Sequence, residues 1–265
     1  MNAVKQEARA SSFERVAEAY DEFRPGYPER LYDRIIAFGG LTSAAKVLEV
    51  GVGTAKATLP LARRGFSIRG LEPGTTLSAI ARANLASFPN VDIRTTTFEE
   101  WPVERAAFGL AFSAQAFHWL DERRRLPKFA EALHDGGVLA IFGHVPGVPD
   151  DALSTELDRV YRRQAPSISQ RRVAENWYAS ATGRVMVDFR ASADFVDVEF
   201  TAFDWQRTID ARSYCALLST YSDHATLDPP CREALLGAVA EVIGEHGGAV
   251  SLDYRTGLFL ARKFG

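Results

Sequence analysis

The stretch Lys46-Val-Leu-Glu49-Val-Gly51-Val-Gly53-Thr54, read together with Glu72, decides how this chain folds. An apolar β-type run, Lys46–Val50, carries a carboxylate at Glu49 and ends in a turn spaced by Gly51 and Gly53. A second apolar run, Ser67–Leu71, delivers a further carboxylate at Glu72. Glycines keep side chains out of a turn, so a ligand can approach the backbone closely. An acid at the end of the next strand is placed for ribose hydroxyls. The pattern predicts a nucleoside site, with Thr54 as a cap for the helix that follows.

Outward from this turn, strands and helices alternate. Strands are expected at Lys46–Val50, Ser67–Leu71, Val91–Thr95, Phe108–Ser113 and Val138–Gly143, with helices at about 55–64, 75–86 and 122–134. Leu77, Ile80, Ala81 and Leu85 form one helical stripe; Leu126, Phe129, Ala130 and Leu133 form another. Near-continuous apolar runs such as Phe108–Phe112 suit parallel strands covered on both faces. Alternating β and α elements of this kind imply a doubly wound sheet.

Before the sheet, Phe13, Val16, Ala17 and Tyr20 follow helical spacing with Ser12 as N-cap. Pro25-Gly26-Tyr27-Pro28 breaks that helix; another begins at Pro28, buries Leu31 and Ile35, and stops at Gly39-Gly40. Beyond the fifth strand, Asp151–Gln164 reads as an amphipathic helix with Leu153, Leu157, Val160 and Tyr161 inward. Phe195–Trp205 and Tyr254–Lys263 are strand-like, and Asp228-Pro229 opens a helix carrying Leu235, Val239, Val242 and Ile243. Two late strands separated by helices suggest an antiparallel edge on the parallel sheet.

At 265 residues the chain has room for one large α/β domain. A formal net charge of −3 gives no electrostatic reason to expect a nucleic-acid backbone as partner. The basic runs at Arg123–Arg125, Arg162–Arg163 and Arg171–Arg172 lack interleaved aromatics and read as solvated helix faces. Cys215 and Cys231 suit reduced thiols better than a disulfide framework, and no cluster has metal-ligand spacing. With no apolar signal segment and no run of membrane-spanning length, a cytoplasmic protein is expected.

Two ligands compete for the turn. A dinucleotide fold requires a third glycine so that a helix N-terminus meets the pyrophosphate; here that position is Lys56. Glu49 suits a cationic amine better than a phosphate. S-adenosylmethionine (SAM) offers an ammonium, a sulfonium and ribose hydroxyls without a phosphate.

At this point the chain resembles the class I SAM-dependent methyltransferases. The resemblance is carried by Leu48–Gly74, by TTTFEEW at Thr95–Trp101, by SAQAFHWLD at Ser113–Asp121 and by LHDGGVLAIF at Leu133–Phe142. The segment Tyr20-Asp-Glu-Phe-Arg24-Pro-Gly-Tyr-Pro28 is similar to the opening of a small-molecule branch that includes trans-aconitate methyltransferase-like proteins. Phe203–His224 and the last strand also look familiar for that branch. The resemblance implies an α/β fold: a Rossmann-like, doubly wound, seven-stranded sheet, mostly parallel with an antiparallel late strand. It further implies a single domain over 1–265, with an N-terminal helical lid (1–40), a SAM-binding core (41–145), and substrate-pocket insertions with the last two strands (146–265).

Residue by residue, it implies that Glu49, Gly51 and Gly53 line the methionine side of SAM, that Thr54 is among the cofactor-binding residues and that Glu72 takes the ribose hydroxyls. Pro73, Thr97 and Phe98 would lie at the adenine, Gln115 at the methionine or sulfonium. Tyr20 and Arg24 would come from the lid, Arg24 as a candidate partner for a carboxylate. Gly109 stands where many relatives carry Asp. The implied activity is methyl transfer to a small-molecule acceptor of unspecified O-, N- or C-type, with the oligomeric state open.

A sulfonium methyl is already electrophilic, so the protein's task is alignment of a nucleophile, with a base only where a proton must leave. His118, directly after the fourth strand, is the foremost candidate for a base or substrate contact. Its alternative is packing beside Trp119. His224 is a second, less well placed candidate, and His134 and His144 read as exposed or structural residues near element ends. Asp228-Pro-Pro reads as a helix start rather than as an amino-methyltransferase motif. Trp101, Trp177 and Trp205 read as packing residues, with Trp177-Tyr178 an alternative substrate wall. Two rival functions share the same frame: a nicotinamide-dependent oxidoreductase, and a SAM-binding protein that transfers no methyl group.

Overall fold

The computed structural model describes residues 16–147, 151–169, 178 and 180–265. Its sheet has seven strands in the order β3-β2-β1-β4-β5-β7-β6. They are β1 Lys46–Val50, β2 Ser67–Leu71, β3 Val91–Arg94, β4 Phe108–Ala114, β5 Leu133–Pro146, β6 Phe195–Asp210 and β7 Ala249–Lys263. The five early strands pair in parallel, and one late strand runs antiparallel. This is the doubly wound, Rossmann-like architecture that the alternating pattern predicts.

The apolar runs have a direct structural cause. Along β1, Val47 packs on one face of the sheet and Leu48 on the other. Along β4, Leu110 and Phe112 join the first face while Phe108 and Ala111 join the second. Strands buried on both sides need apolar residues at every position, not at alternate ones. The helices Thr75–Asn84 and Arg125–Ala132 bury Leu77, Ala81 and Leu126, Phe129, Ala130 respectively, as their stripes require.

Several boundaries differ from the sequence reading for identifiable reasons. The helix expected at 55–64 covers only Thr58–Arg63, with Ala57 as N-cap, so Thr54 does not cap it. Pro60 sits in its first turn, where a missing N–H costs nothing. The helix expected at 122–134 is confined to Arg125–Ala132, and β5 already starts at Leu133. The chain pairs Phe108 with Leu133 and then Leu110 with Val138. The His134-Asp-Gly-Gly137 segment is absorbed in that irregularity, with Gly136 at φ 74°. Both late strands are longer than expected, beginning or ending some residues beyond Trp205 and Tyr254. Gly40 at φ 59° ends the helix Glu29–Gly39 as anticipated, and Pro229 opens Pro229–Glu245. Ser12, Phe13 and Trp177 lie outside the described residues.

The chain divides into two compact units. One comprises Pro25–Val145, Asn176–Phe203 and Thr256–Gly265 and contains the early strands. The other comprises Met1–Arg24, Pro146–Glu175 and Asp204–Arg255. Its core gathers Leu153, Leu157, Val160 and Tyr161 with Leu217, Leu235, Val239, Ile243 and Leu252, so the two late helices bury the faces that their spacing marks. Cys215 and Cys231 are both free thiols, donating to Leu236 O and Gln164 O. Among the described residues no helix is long and apolar enough to cross a membrane.

Candidate active site

The turn after β1 is tied to the end of β2. Gly51 N and Val52 N both donate to Leu71 O, at 2.8 and 3.2 Å. Gly51 sits at φ 80°, and a Cβ there would overlap the Cβ of Ala116 in the loop after β4. Glycine is therefore required twice over, by backbone conformation and by the approach of a second loop. Gly53 N donates to Glu72 Oε2 at 2.8 Å, and Gly74 N donates to Glu72 Oε1 at 2.9 Å. The Glu72 carboxylate thus bridges the two turns that follow β1 and β2. It is nearly buried.

Glu49 is fully buried in β1. Its Oε2 accepts from Thr58 Oγ1 at 2.6 Å, while Oε1 has no partner among the described residues. Burial pushes its pKa up to about 8; the Thr58 hydrogen bond opposes that shift and the negative charge of Glu72 adds to it. Thr54 Oγ1 is likewise buried without a partner among the described residues, although Thr54 O accepts from Asn84 Nδ2. Orphaned polar atoms are uncommon in folded proteins, and here two flank one glycine turn. A ligand bringing an ammonium and hydroxyls is the chemistry that would satisfy them. Thr58, which the sequence reading passed over, carries no motif signal; only its place beneath Glu49 reveals it.

Pro73 is exposed beside Glu72. Thr97 Oγ1 accepts from Glu100 N and donates to Glu100 Oε2, closing the turn after β3. The Phe98 ring is buried 4.6 Å from the Phe129 ring and stacks with Trp101, so this side chain is occupied in the core. Trp101 is buried with it, as a packing residue should be. Gly109 lies at the amino end of β4, where a Cβ would meet Ala45 and His134. Its missing carboxylate therefore bears on the start of that strand and not on its carboxyl edge.

At the carboxyl end of β4, Gln115 adopts φ 54°, a left-handed conformation that costs a non-glycine residue energy. Its N donates to Phe142 O at 2.9 Å and its Nε2 to His144 O at 3.3 Å. The next turn, Phe117–Trp119, presents His118 half-buried, with Nδ1 3.0 Å from Tyr178 Oη. Burial holds the Tyr178 phenol far above its usual range, so it stays protonated. Arg125 anchors this turn from below: its guanidinium donates to Phe117 O, lies 4.2 Å over the Phe117 ring and pairs with Asp188. His144 lies near the end of β5 as a buried, structural residue; its Nδ1 is 2.9 Å from Thr256 Oγ1 and its ring stacks on Tyr27 at 4.3 Å. A histidine closing the apolar run Val138–Phe142 was a signal for a residue at the carboxyl edge.

Tyr20, Arg24 and His224 belong to the other unit. Arg24 donates to Thr220 Oγ1 and Thr220 O, with its guanidinium over the rings of Tyr20 and Tyr221. His224 is buried between Tyr161 Oη at 2.7 Å and Asp223 Oδ1 at 2.8 Å, so both ring nitrogens are engaged. Among the described residues no group of three His, Cys, Asp or Glu side chains is arranged to hold a metal ion.

Residues 47–137, which span this turn and the strands around it, match a family described as a methyltransferase domain. An uncharacterised methyltransferase of Mycobacterium tuberculosis is 28% identical over 198 residues, covering 69% of this chain and 77% of that one. Among solved structures, a type II methyltransferase from Anaeromyxobacter dehalogenans superposes with a TM-score of 0.61 at 21% identity, over 91% of this chain and 99% of its own. A phosphoethanolamine N-methyltransferase of Haemonchus contortus, solved with S-adenosyl-L-methionine, superposes with a TM-score of 0.54 at 16% identity, over 97% of this chain and 57% of its own. Sequence profile, relatives and fold agree with the glycine turn and its two carboxylates: residues 47–137 match the methyltransferase-domain family, and the chain is similar to SAM-dependent methyltransferases.

Proposed function

We propose that the acceptor is a small molecule and that SAM is held by Glu49, Gly51, Gly53, Thr54, Glu72, Pro73, Thr97, Phe98 and Gln115, with His118 at the acceptor. The observation that carries this reading is the pair of orphaned buried atoms, Glu49 Oε1 and Thr54 Oγ1, beside a turn already clamped by Glu72. Glu72, directly after β2, is the carboxylate placed for ribose hydroxyls. Thr97 and Phe98 offer backbone groups to the adenine, because their side chains are engaged elsewhere. Gln115 keeps its strained backbone because His144 O and Phe142 O hold it from the neighbouring strand.

When bound, the sulfonium supplies a methyl group that leaves by in-line displacement, and its cation carries the electrophilicity. The chain's own work is alignment and proton management. Tyr178 fixes the His118 ring through Nδ1. If Nδ1–H donates to the Tyr178 oxygen, Nε2 presents a lone pair and can take a proton from a hydroxyl or amine. The Arg125–Asp188 pair keeps the turn that carries His118 in place.

The test is release of S-adenosylhomocysteine across a panel of phenols, amines and carboxylic acids. One class is expected to turn over. His118→Ala should then lower kcat/KM by about 10²-fold with S-adenosylhomocysteine affinity unchanged. Tyr178→Phe should shift the pH profile, which a purely structural role would leave alone. Absence of turnover in the whole panel sinks the small-molecule reading; an unaffected His118→Ala removes His118 from it.

A further inference from the structure

Two turns at the carboxyl edge of the sheet are joined side chain to main chain: Thr97–Trp101 after β3 and Phe117–Asp121 after β4. Lys128, on the helix Arg125–Ala132, donates Nζ to Glu99 O at 2.9 Å and to Trp101 O at 2.8 Å. Its ammonium also lies 5.3 Å from the centre of the Phe98 ring and 5.9 Å from that of Trp101. Burial, with Arg124 adding to it, holds this amine below the usual lysine range. A solvated lysine keeps its rotamer freedom; half-buried Lys128 gives that up to hold one turn.

Glu99 makes the return link. Its Oε1 accepts from Asp121 N at 3.0 Å. Asp121 O accepts from Arg124 N and Arg125 N, and Asp121 Oδ1 accepts from Arg123 N and Arg124 N, so this residue fixes the entry to the helix that carries Lys128. The circuit is closed: Glu99 O to Lys128, along the helix to Asp121, and from Asp121 N back to the Glu99 carboxylate. Arg125 holds the other end of the second turn through Phe117 O. His118 therefore sits between two grips, and one of them belongs to the turn after β3. A carboxylate accepting a backbone N–H makes a stronger hydrogen bond than a neutral acceptor does. Thr97 closes the first turn through Glu100 and Trp101, so that turn moves as a unit.

We infer that Lys128 and Glu99 are positioning residues: they transmit the seating of adenine on the Thr97–Phe98 backbone to the turn that carries His118. The inference rests on the reading that seats adenine at Thr97 and Phe98 and the acceptor at His118. Cofactor binding then orders the acceptor side of the site through hydrogen bonds of the protein itself, beyond any direct contact that the ligand makes there.

The experiment is hydrogen–deuterium exchange, read by mass spectrometry on the full chain, free and saturated with S-adenosylhomocysteine. Three segments are followed: 49–56, 95–101 and 116–124. In wild type S-adenosylhomocysteine should slow exchange in all three, by about tenfold in 116–124, the effect of one restrained charge-assisted hydrogen bond. In Lys128→Met and Glu99→Ala, segment 49–56 should still be protected, while the protection of 116–124 falls to about twofold or less. Glu99→Gln keeps an oxygen for Asp121 N and should restore most of it. A purely structural role would speed exchange in the free variants and leave the difference made by S-adenosylhomocysteine intact, which overturns the inference. Wild-type protection of 116–124 in both variants assigns it to direct ligand contact and overturns it as well, as does absence of protection there in wild type. Glu99→Ala, which removes only a half-buried carboxylate, carries the test where Lys128→Met does not fold. Failure of S-adenosylhomocysteine to protect 49–56 in wild type would instead remove the cofactor reading, which keeps the two tests separate.

Discussion

Glu49 is a carboxyl group in the middle of a strand, with one oxygen bonded and the other without a partner among the described residues. Its pKa of about 8, raised by burial, means that the ligand-free fold holds a proton that the unfolded chain releases. The stability this group contributes is present below the ordinary carboxylate range and is lost as pH rises through about 8. Wild type should therefore lose stability relative to Glu49→Gln by roughly 1–3 kcal/mol between pH 6 and pH 9, each pKa unit being worth about 1.4 kcal/mol. Thermal melts of the two proteins at both pH values check this; parallel pH dependence would mean that Glu49 is ionised in the free fold. The same variant should bind S-adenosylhomocysteine more weakly, because an amide offers an ammonium no charge. At this scale the sequence was informative about the acids and poor about their partners. Glu49 and Glu72 are legible from strand-end spacing. Thr58 and Tyr178 are not, since only the folded turn and the path of the chain bring them to Glu49 and His118.

Among the elements, β1 and β4 are each followed at their carboxyl ends by a residue under conformational demand. Gly51 meets that demand without cost, whereas Gln115 meets it with a left-handed backbone and a side chain bonded to His144 O. Strain at such a position is retained when the side chain has a task. Gln115→Gly should leave stability within about 1 kcal/mol of wild type, strain relief offsetting the lost hydrogen bond. Turnover should nevertheless fall about tenfold. Denaturant unfolding paired with steady-state kinetics makes the comparison, and unchanged turnover would reduce Gln115 to a loop residue. The strands themselves were readable, most clearly β4, which is buried on both faces and shows it as the near-continuous apolar run Phe108–Phe112. The start of β5 was not, because His134-Asp-Gly-Gly137 has the composition of a turn. Thr54 misled for a similar reason: a threonine after a glycine turn has the right chemistry for a cap, but the helix begins four residues later.

For the whole molecule, seven strands in the order β3-β2-β1-β4-β5-β7-β6 place the glycine turn beside β4, where the strand order reverses. Ligands bind at such a switch point in open α/β sheets. The alternation of elements made this legible; the division of the chain into two compact units was not, because β6 and β7 each contribute to both. A ligand that binds only the folded form must stabilise it by mass action, about 2.7 kcal/mol at a hundredfold excess over Kd. The most direct measurement is calorimetric titration of wild type and Glu72→Ala with S-adenosylhomocysteine and with NADH. Saturable binding of S-adenosylhomocysteine by wild type, at least tenfold weaker in Glu72→Ala, and no heat from NADH are predicted. NADH binding without S-adenosylhomocysteine binding, or equal affinity in the Glu72→Ala protein, would contradict the assignment of this turn to the cofactor.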